Sequence, residues 1–262
     1  MTIDVGPVTA EAPEPRQRYR RLRVFNIAVG LLLAAEALYM LLASNDLALP
    51  VTASYLRTDP VAATRPTLPQ LVFSLRIGPA VAVFLALAAI DHLLVASPGV
   101  HNWYERGLSR RRNYARWIEY SISASVMIVL IGLFAGIRDL AAVVAIFAVN
   151  TSVILFGLLM ERQQRPGSAD WSAFCFGSLV GIVPWALIAV YVAQPVQVPG
   201  FVYAITIIQF LLFFSFAVNM ALQYARIGRW RDYVHGEVAY IVLSFTAKSL
   251  LAWLIFANVL RT

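Results

Sequence analysis

The segment Tyr240-Ile241-Val242-Leu243-Ser244-Phe245-Thr246-Ala247-Lys248-Ser249-Leu250-Leu251-Ala252-Trp253 decides how the rest of the chain is read. It is an apolar run with one lysine in its middle. A charge at the centre of a membrane helix costs roughly 2.5–3.5 kcal/mol on insertion scales, so it needs a partner or a task. Lys248 lies about 13 residues beyond the start of its run, or about 20 Å at the rise of an α-helix, too deep to reach the interface easily. Lys and Arg together number 21, and every one but Lys248 is arginine. Arginine stays protonated, whereas a desolvated lysine can become a neutral amine that attacks aldehydes. Two readings follow: a position that requires an amine nucleophile, or a structural ion pair with a buried acid.

Outward from this segment, composition sets the class. Of 262 residues, 60% are apolar and 13% charged, and mean hydropathy is +0.71. Soluble domains run near 25% charged, so a soluble globular enzyme is excluded, as is a disordered chain. Apolar runs give seven candidate spans, at roughly 22–44, 71–97, 113–136, 140–161, 171–194, 200–226 and 235–259. Turn signals separate them: Ser97-Pro98-Gly99, Arg138-Asp139, Arg165-Pro166-Gly167, Pro195 to Gly200, and Gly228. Pro79 and Pro184 fall inside spans and predict kinks. The fold class is an all-α membrane protein, a seven-helix bundle. Residues 1–21 read as a flexible N-terminal tail and 22–262 as the bundle; the first span is too long for a signal-peptide core and reads as retained. The connection 45–70 holds four prolines and a strand-like piece, 51–56, so a short β-hairpin cap is expected there.

The net charge of +7 would suggest nucleic acid in a soluble protein. Here the arginines cluster between spans: fifteen fall on one side, in the N-terminal segment and the 2–3, 4–5 and 6–7 connections, and five on the other. The positive-inside rule puts the N-terminus and those connections in the cytoplasm and the C-terminus outside. Nucleic acid is not an expected partner; the bilayer is. Cys175 is the one cysteine, so no intramolecular disulfide forms, and three scattered histidines build no metal site.

The other buried ionisable candidates are Glu36 in span 1, Asp91 and His92 in span 2, and Glu119 in span 3. Helical side chains lean toward the N-terminal end, which brings Lys248 toward the level of Glu119. Glu119 is then either the carboxylate partner of Lys248 or an i,i+3 partner of Arg116. Ser123 and Ser244, each one turn away, either join this cluster or bond their own backbone. His92 can relay a proton at neutral pH. Adjacent helix positions diverge by about 100°, so one of Asp91 and His92 faces the core; a capping or interface role is the plainer reading of Asp91. Glu36 is either a protonated carboxyl or a second acid in the network. Trp185, Tyr203, Phe210, Phe213, Phe214 and Phe216 form either a slot for a long apolar ligand or ordinary packing.

Several segments resemble heliorhodopsin: Arg116-Trp117-Ile118-Glu119-Tyr120-Ser121, Ser125 to Ile131, Gly181-Ile182-Val183-Pro184-Trp185, Val198 to Tyr203, Ala239 to Ser244, and Asn45 to Pro50. The inverted orientation agrees with that family. The resemblance implies all-trans retinal on Lys248 as a protonated Schiff base with Glu119 as counterion. It implies a polar cluster of His92, Ser123 and Ser244, and a pocket lined by Asn150, Trp185 and Met127, with Phe213 or its neighbour Phe210 near the ring. It also implies a homodimer, a slow photocycle and light sensing without net pumping, with a cytoplasmic signalling partner. Two positions depart from the family: Leu33, near a usual span-1 histidine, and Ala88, where a serine is usual. Glu36 and Asp91 are the candidate substitutes in a rearranged cluster.

Three functions compete. A light sensor is first. A light-driven proton pump would need a donor carboxylate eleven residues after Glu119, where Leu130 stands. A transporter or receptor without retinal would use Lys248 and Glu119 as an ion pair. No enzyme motif is present, so an enzyme is not expected.

Overall fold

The computed structural model describes residues 15–55, 68–194 and 197–261, and the side chains from residue 17 onward. Among the described residues, seven helices are long and apolar enough to cross a membrane: α1 (Pro15–Ala43), α2 (Ile77–Ala96), α4 (Tyr114–Phe134), α5 (Leu140–Gln163), α6 (Ser172–Ala193), α7 (Gly200–Tyr224) and α8 (Tyr233–Ile255), which runs on through one wider turn to Leu260. The seven-helix expectation holds. A further short helix, α3 (Pro98–Ser109), links α2 to α4.

The bundle is apolar outside as well as inside, as lipid demands: Leu31, Leu38, Leu42, Leu179 and Ile182 lie exposed on helix faces. α4 is the central post, with 61% of its most apolar window buried against 17% for α6 and α7. Neighbours pack in chain order, and α8 closes the ring onto α1. Aspartates cap two helix starts: Asp139 Oδ1 accepts from Ala141 N at 3.0 Å, and Asp232 Oδ1 from Val234 N at 3.1 Å.

The expected hairpin is present as β1 (Ala48–Ala53) paired antiparallel with β2 (Gln70–Arg76), Val51 facing Phe73, with a bulge after Val51. Thr52 N donates to Arg138 O at 2.9 Å, pinning the hairpin to the α4–α5 loop. Here the span boundary is corrected. Residues 71–76, read as the start of span 2, are strand β2, because a short apolar run serves either conformation and β1 supplies the backbone partners. The helix starts at Ile77, so Pro79 falls in its first turn, where an N–H has no helical acceptor, and the ground for a kink there is gone. Pro184 is interior to α6. Arg57, Arg65, Leu56, Pro195 and residues 1–14 of the tail lie outside the described residues.

Candidate functional site

Lys248 is 3% exposed on the inner face of α8. Its Nζ lies 3.3 and 3.4 Å from the two carboxylate oxygens of Glu119 on α4, and donates to Ser244 Oγ one turn earlier at 2.7 Å. The Tyr120 ring sits beneath the ammonium, 4.9 Å from its centroid. Tyr120 is itself held by its OH donating to Tyr240 O at 3.0 Å. Gln209 on α7, fully buried, donates to the carbonyl of Ala247 at 3.0 Å and so fixes the backbone beside the lysine. Glu119 therefore partners Lys248 and not Arg116.

From this amine a cavity of about 680 Å³ runs between α4, α5, α6, α7 and α8. Met127, Asn150, Trp185, Phe210 and Phe213 all line it. Trp185 meets both phenylalanines edge to face, with centroids 5.5 and 5.4 Å away. Asn150 Nδ2 donates to Ser125 Oγ at 3.1 Å. Ile182, Ile207, Leu211 and Phe214 line the cavity while lying on the outer surface, so it reaches the lipid face between α6 and α7. Ligand pockets run about 300–1,000 Å³ with mostly apolar walls and a few placed polar groups. The slot suits an apolar aldehyde: one buried amine stands in its wall, and the Thr206 hydroxyl, also in the wall, has no protein partner.

The other expected residues divide. Ser123 is fully buried and its hydroxyl makes no hydrogen bond. His92 is buried on α2, its Nδ1 2.7 Å from Asn26 Oδ1 on α1. Asp91, half-buried, forms neither a hydrogen bond nor an ion pair among the described residues. Glu36 is held elsewhere: it accepts from Ser249 Oγ at 2.7 Å and from Trp253 Nε1 at 3.0 Å, on the outer side of α8. Leu33 and Ala88 are core residues, 0% and 1% exposed.

A second buried charge cluster lies one turn along α4. Arg116, placed among the topology arginines from the sequence, is 4% exposed and bridges two carboxylates. Its Nη2 is 2.5 Å from Glu161 Oε2 on α5, and its Nη1 pairs with Glu237 Oε1 on α8. Asn113 completes the set: its backbone N donates to Glu161 Oε1 at 2.5 Å and its Nδ2 to Glu237 Oε2 at 2.9 Å. All four carboxylate oxygens thus have a donor. The guanidinium also stacks over Trp117 and Tyr240, 4.6 and 3.9 Å from their centroids. Nearby on α3, burial pushes the Tyr104 phenol well above its ordinary range. Sequence reasoning missed Glu161, Glu237, Asn113 and Asn26; the available signal was two acids at span ends on the arginine-rich level.

A family model described as Heliorhodopsin matches residues 22–260. No curated protein matches the chain. Among solved structures, the chain is similar to cyanorhodopsin from the cyanobacterium Tolypothrix sp. NIES-4075, with TM-score 0.59 and 12% identity over 94% of this chain and 95% of that one. It is also similar to a light-driven proton pump from Leptosphaeria maculans, with TM-score 0.62 and 13% identity over 96% and 97%. At such identities the likeness is one of fold.

Proposed function

The chain belongs to the heliorhodopsin family, and from that premise we propose a light sensor in which Lys248 carries all-trans retinal as a protonated Schiff base and Glu119 is the counterion. When bound, the polyene supplies visible absorption and a bond that light isomerises. The chain's own residues do the rest. Glu119 holds the positive charge at the Lys248 nitrogen, and Ser244 accepts a hydrogen bond from it. Trp185, Phe210 and Phe213 form the aromatic slot, and Met127 and Asn150 complete it. Ser123, His92 and Asp91 make up the polar surroundings, with Glu36 at the outer edge of α8. The observation that carries this reading is a buried amine, paired with one carboxylate, in the wall of a largely apolar cavity.

The output is slow signalling without net pumping. Leu130, fully buried eleven residues beyond Glu119, supports that part, because a hydrocarbon cannot return a proton to the nitrogen. The arginine asymmetry supports a cell-membrane protein with a cytoplasmic N-terminus and an external C-terminus. The cytoplasmic loops would then face a signalling partner, and the exposed Leu71, Val72 and Phe73 of β2 support a homodimer. The test is spectroscopic: all-trans retinal added to the apoprotein yields a visible band, and Lys248→Ala yields none. No band in the wild-type chain, or a band retained by the variant, sinks the proposal.

A further inference from the structure

Outside the retinal slot, a second cavity of about 200 Å³ lies at the end of the bundle where α3 turns into α4. Three arginines line it, Arg106, Arg110 and Arg112, and Trp103, Gly107 and Tyr114 are also in its wall. Arg106 and Arg110 form no ion pair or hydrogen bond through their side chains among the described residues. Arg112 spends one nitrogen on the Arg162 carbonyl at 3.1 Å, which ties the rim to α5. The acid of this helix, Glu105, is engaged 3.0 Å from His101 Nε2. The cavity is therefore rimmed by three cations, with no carboxylate among the described residues that line it.

The turn that builds the rim is not a loose linker. Arg111 N donates to Leu108 O and Arg112 N to Gly107 O, both at 2.9 Å, closing α3 in the paired bonds that usually end on a glycine in the left-handed conformation. Here that residue is Arg111, with φ of 58°. A non-glycine residue there carries strain that the surroundings must hold. Gly107 is required for a different reason: a Cβ would sit 2.8 Å from the Arg112 carbonyl oxygen. This backbone brings Arg110 and Arg112 round to the side of Arg106. Tyr114 opens α4, whose dipole favours an anion at this end; Asn113 Oδ1 caps one of its first N–H groups, that of Arg116, at 3.1 Å.

We propose that this cavity binds a phosphate group at the membrane interface. Guanidinium forks match phosphate oxygens in charge and geometry, and Trp103, 44% exposed beside them, suits the interfacial zone. The phosphate is either that of an anionic lipid headgroup or that of a soluble phosphate-bearing ligand. Occupancy would be felt further in, because Asn113 both lines the cavity and donates to Glu161 and Glu237.

The experiment uses the full-length protein in nanodiscs. One arm adds phosphatidylglycerol to phosphatidylcholine and counts the anionic lipid retained by native mass spectrometry. The other keeps phosphatidylcholine alone and titrates inorganic pyrophosphate by calorimetry. The expected result is one-to-one binding in at least one arm, weakened tenfold or more in R106Q/R110Q and unchanged in R229Q/R231Q. Those last two arginines are exposed at the same end of the bundle but away from the cavity. Binding only in the lipid arm assigns a headgroup; binding only to pyrophosphate assigns a soluble ligand. Binding in neither arm, equal binding by R106Q/R110Q, or an equal loss in R229Q/R231Q overturns the site. Helix content by circular dichroism confirms that each variant is folded. None of these readouts depends on a bound chromophore.

Discussion

Arg116→Met should destabilise the protein more than removing the whole charge cluster does. Arg116, Glu161 and Glu237 have side chains 5%, 3% and 1% exposed, so solvent screens none of them. Methionine fills most of the volume but leaves two carboxylates facing each other with one Asn113 donor each. Breaking a buried ion pair from one side costs about 3–5 kcal/mol, because an uncompensated charge remains. Against a total stability of about 5–15 kcal/mol, that is a large share. Adding Glu161→Gln and Glu237→Gln removes both stranded charges and keeps oxygens for the Asn113 donors. The triple variant should then lie within about 2 kcal/mol of wild type, as neutral replacements of buried ionic sets often do. Glu119→Gln added to Arg116→Met should give no such rescue, since Glu119 pairs with Lys248. The assay is unfolding by dodecyl sulfate in mixed micelles, followed by far-ultraviolet circular dichroism. A triple variant no more stable than Arg116→Met alone would refute the reasoning.

Three further outcomes are expected. Gly157→Val should cost about 1–3 kcal/mol by overpacking, because a Cβ there would sit 2.5 Å from the Trp117 ring, which also walls the cavity; slower and weaker retinal uptake with the stability loss is the readout, and normal uptake with unchanged stability would count against it. Asn26→Leu strands the His92 imidazole, now 2.7 Å from Asn26 Oδ1, and should cost about 1–3 kcal/mol in the same unfolding assay. Asp170 accepts from both Ser172 Oγ and Ser172 N at the start of α6, which hold its carboxyl below the ordinary 3.8. Its contribution is therefore complete above about pH 4 and fades as pH falls through the lowered value. Amide protection at the first turn of α6, taken relative to the intrinsic exchange rate at each pH, should fall on acidification in the wild-type chain, whereas Asp170→Asn should show little of that pH dependence.

How much of this was legible in the sequence follows from which signals are local. Spans are local: each needs about twenty apolar residues in a row, and all seven were readable. The pairing of Lys248 with Glu119 was readable as one of two options, because span order and side-chain lean put both at one depth. The β2 strand was not, since Leu71-Val72-Phe73 is an apolar run that reads equally as helix and only the distant β1 decides it. The α3 helix was hidden for a related reason: it is amphipathic rather than apolar, and a turn signal at Pro98 masks its start. The largest omission was Arg116. Counted with its neighbours it is one more topological cation, and nothing within its own segment shows that its partners sit 45 and 121 residues away.

The partners of Arg116 bear on which charge Lys248 meets. Arg116 and Glu119 are one helical turn apart on α4, and in isolation they would pair. If they did, the ammonium of Lys248 would be left without a counter-charge in a slot whose walls are almost wholly apolar. Glu161 and Glu237 prevent this by taking both terminal nitrogens of the guanidinium, while Trp117 and Tyr240 stack over it. Glu119 is thereby left to face the lysine, with one oxygen that no hydrogen bond occupies. The two carboxylates from α5 and α8 never approach the amine, yet they determine which charge it meets. A cluster that looks like a structural ion network is thus also a sorting device, and it leaves Glu119 facing the lysine nitrogen with one oxygen free of hydrogen bonds.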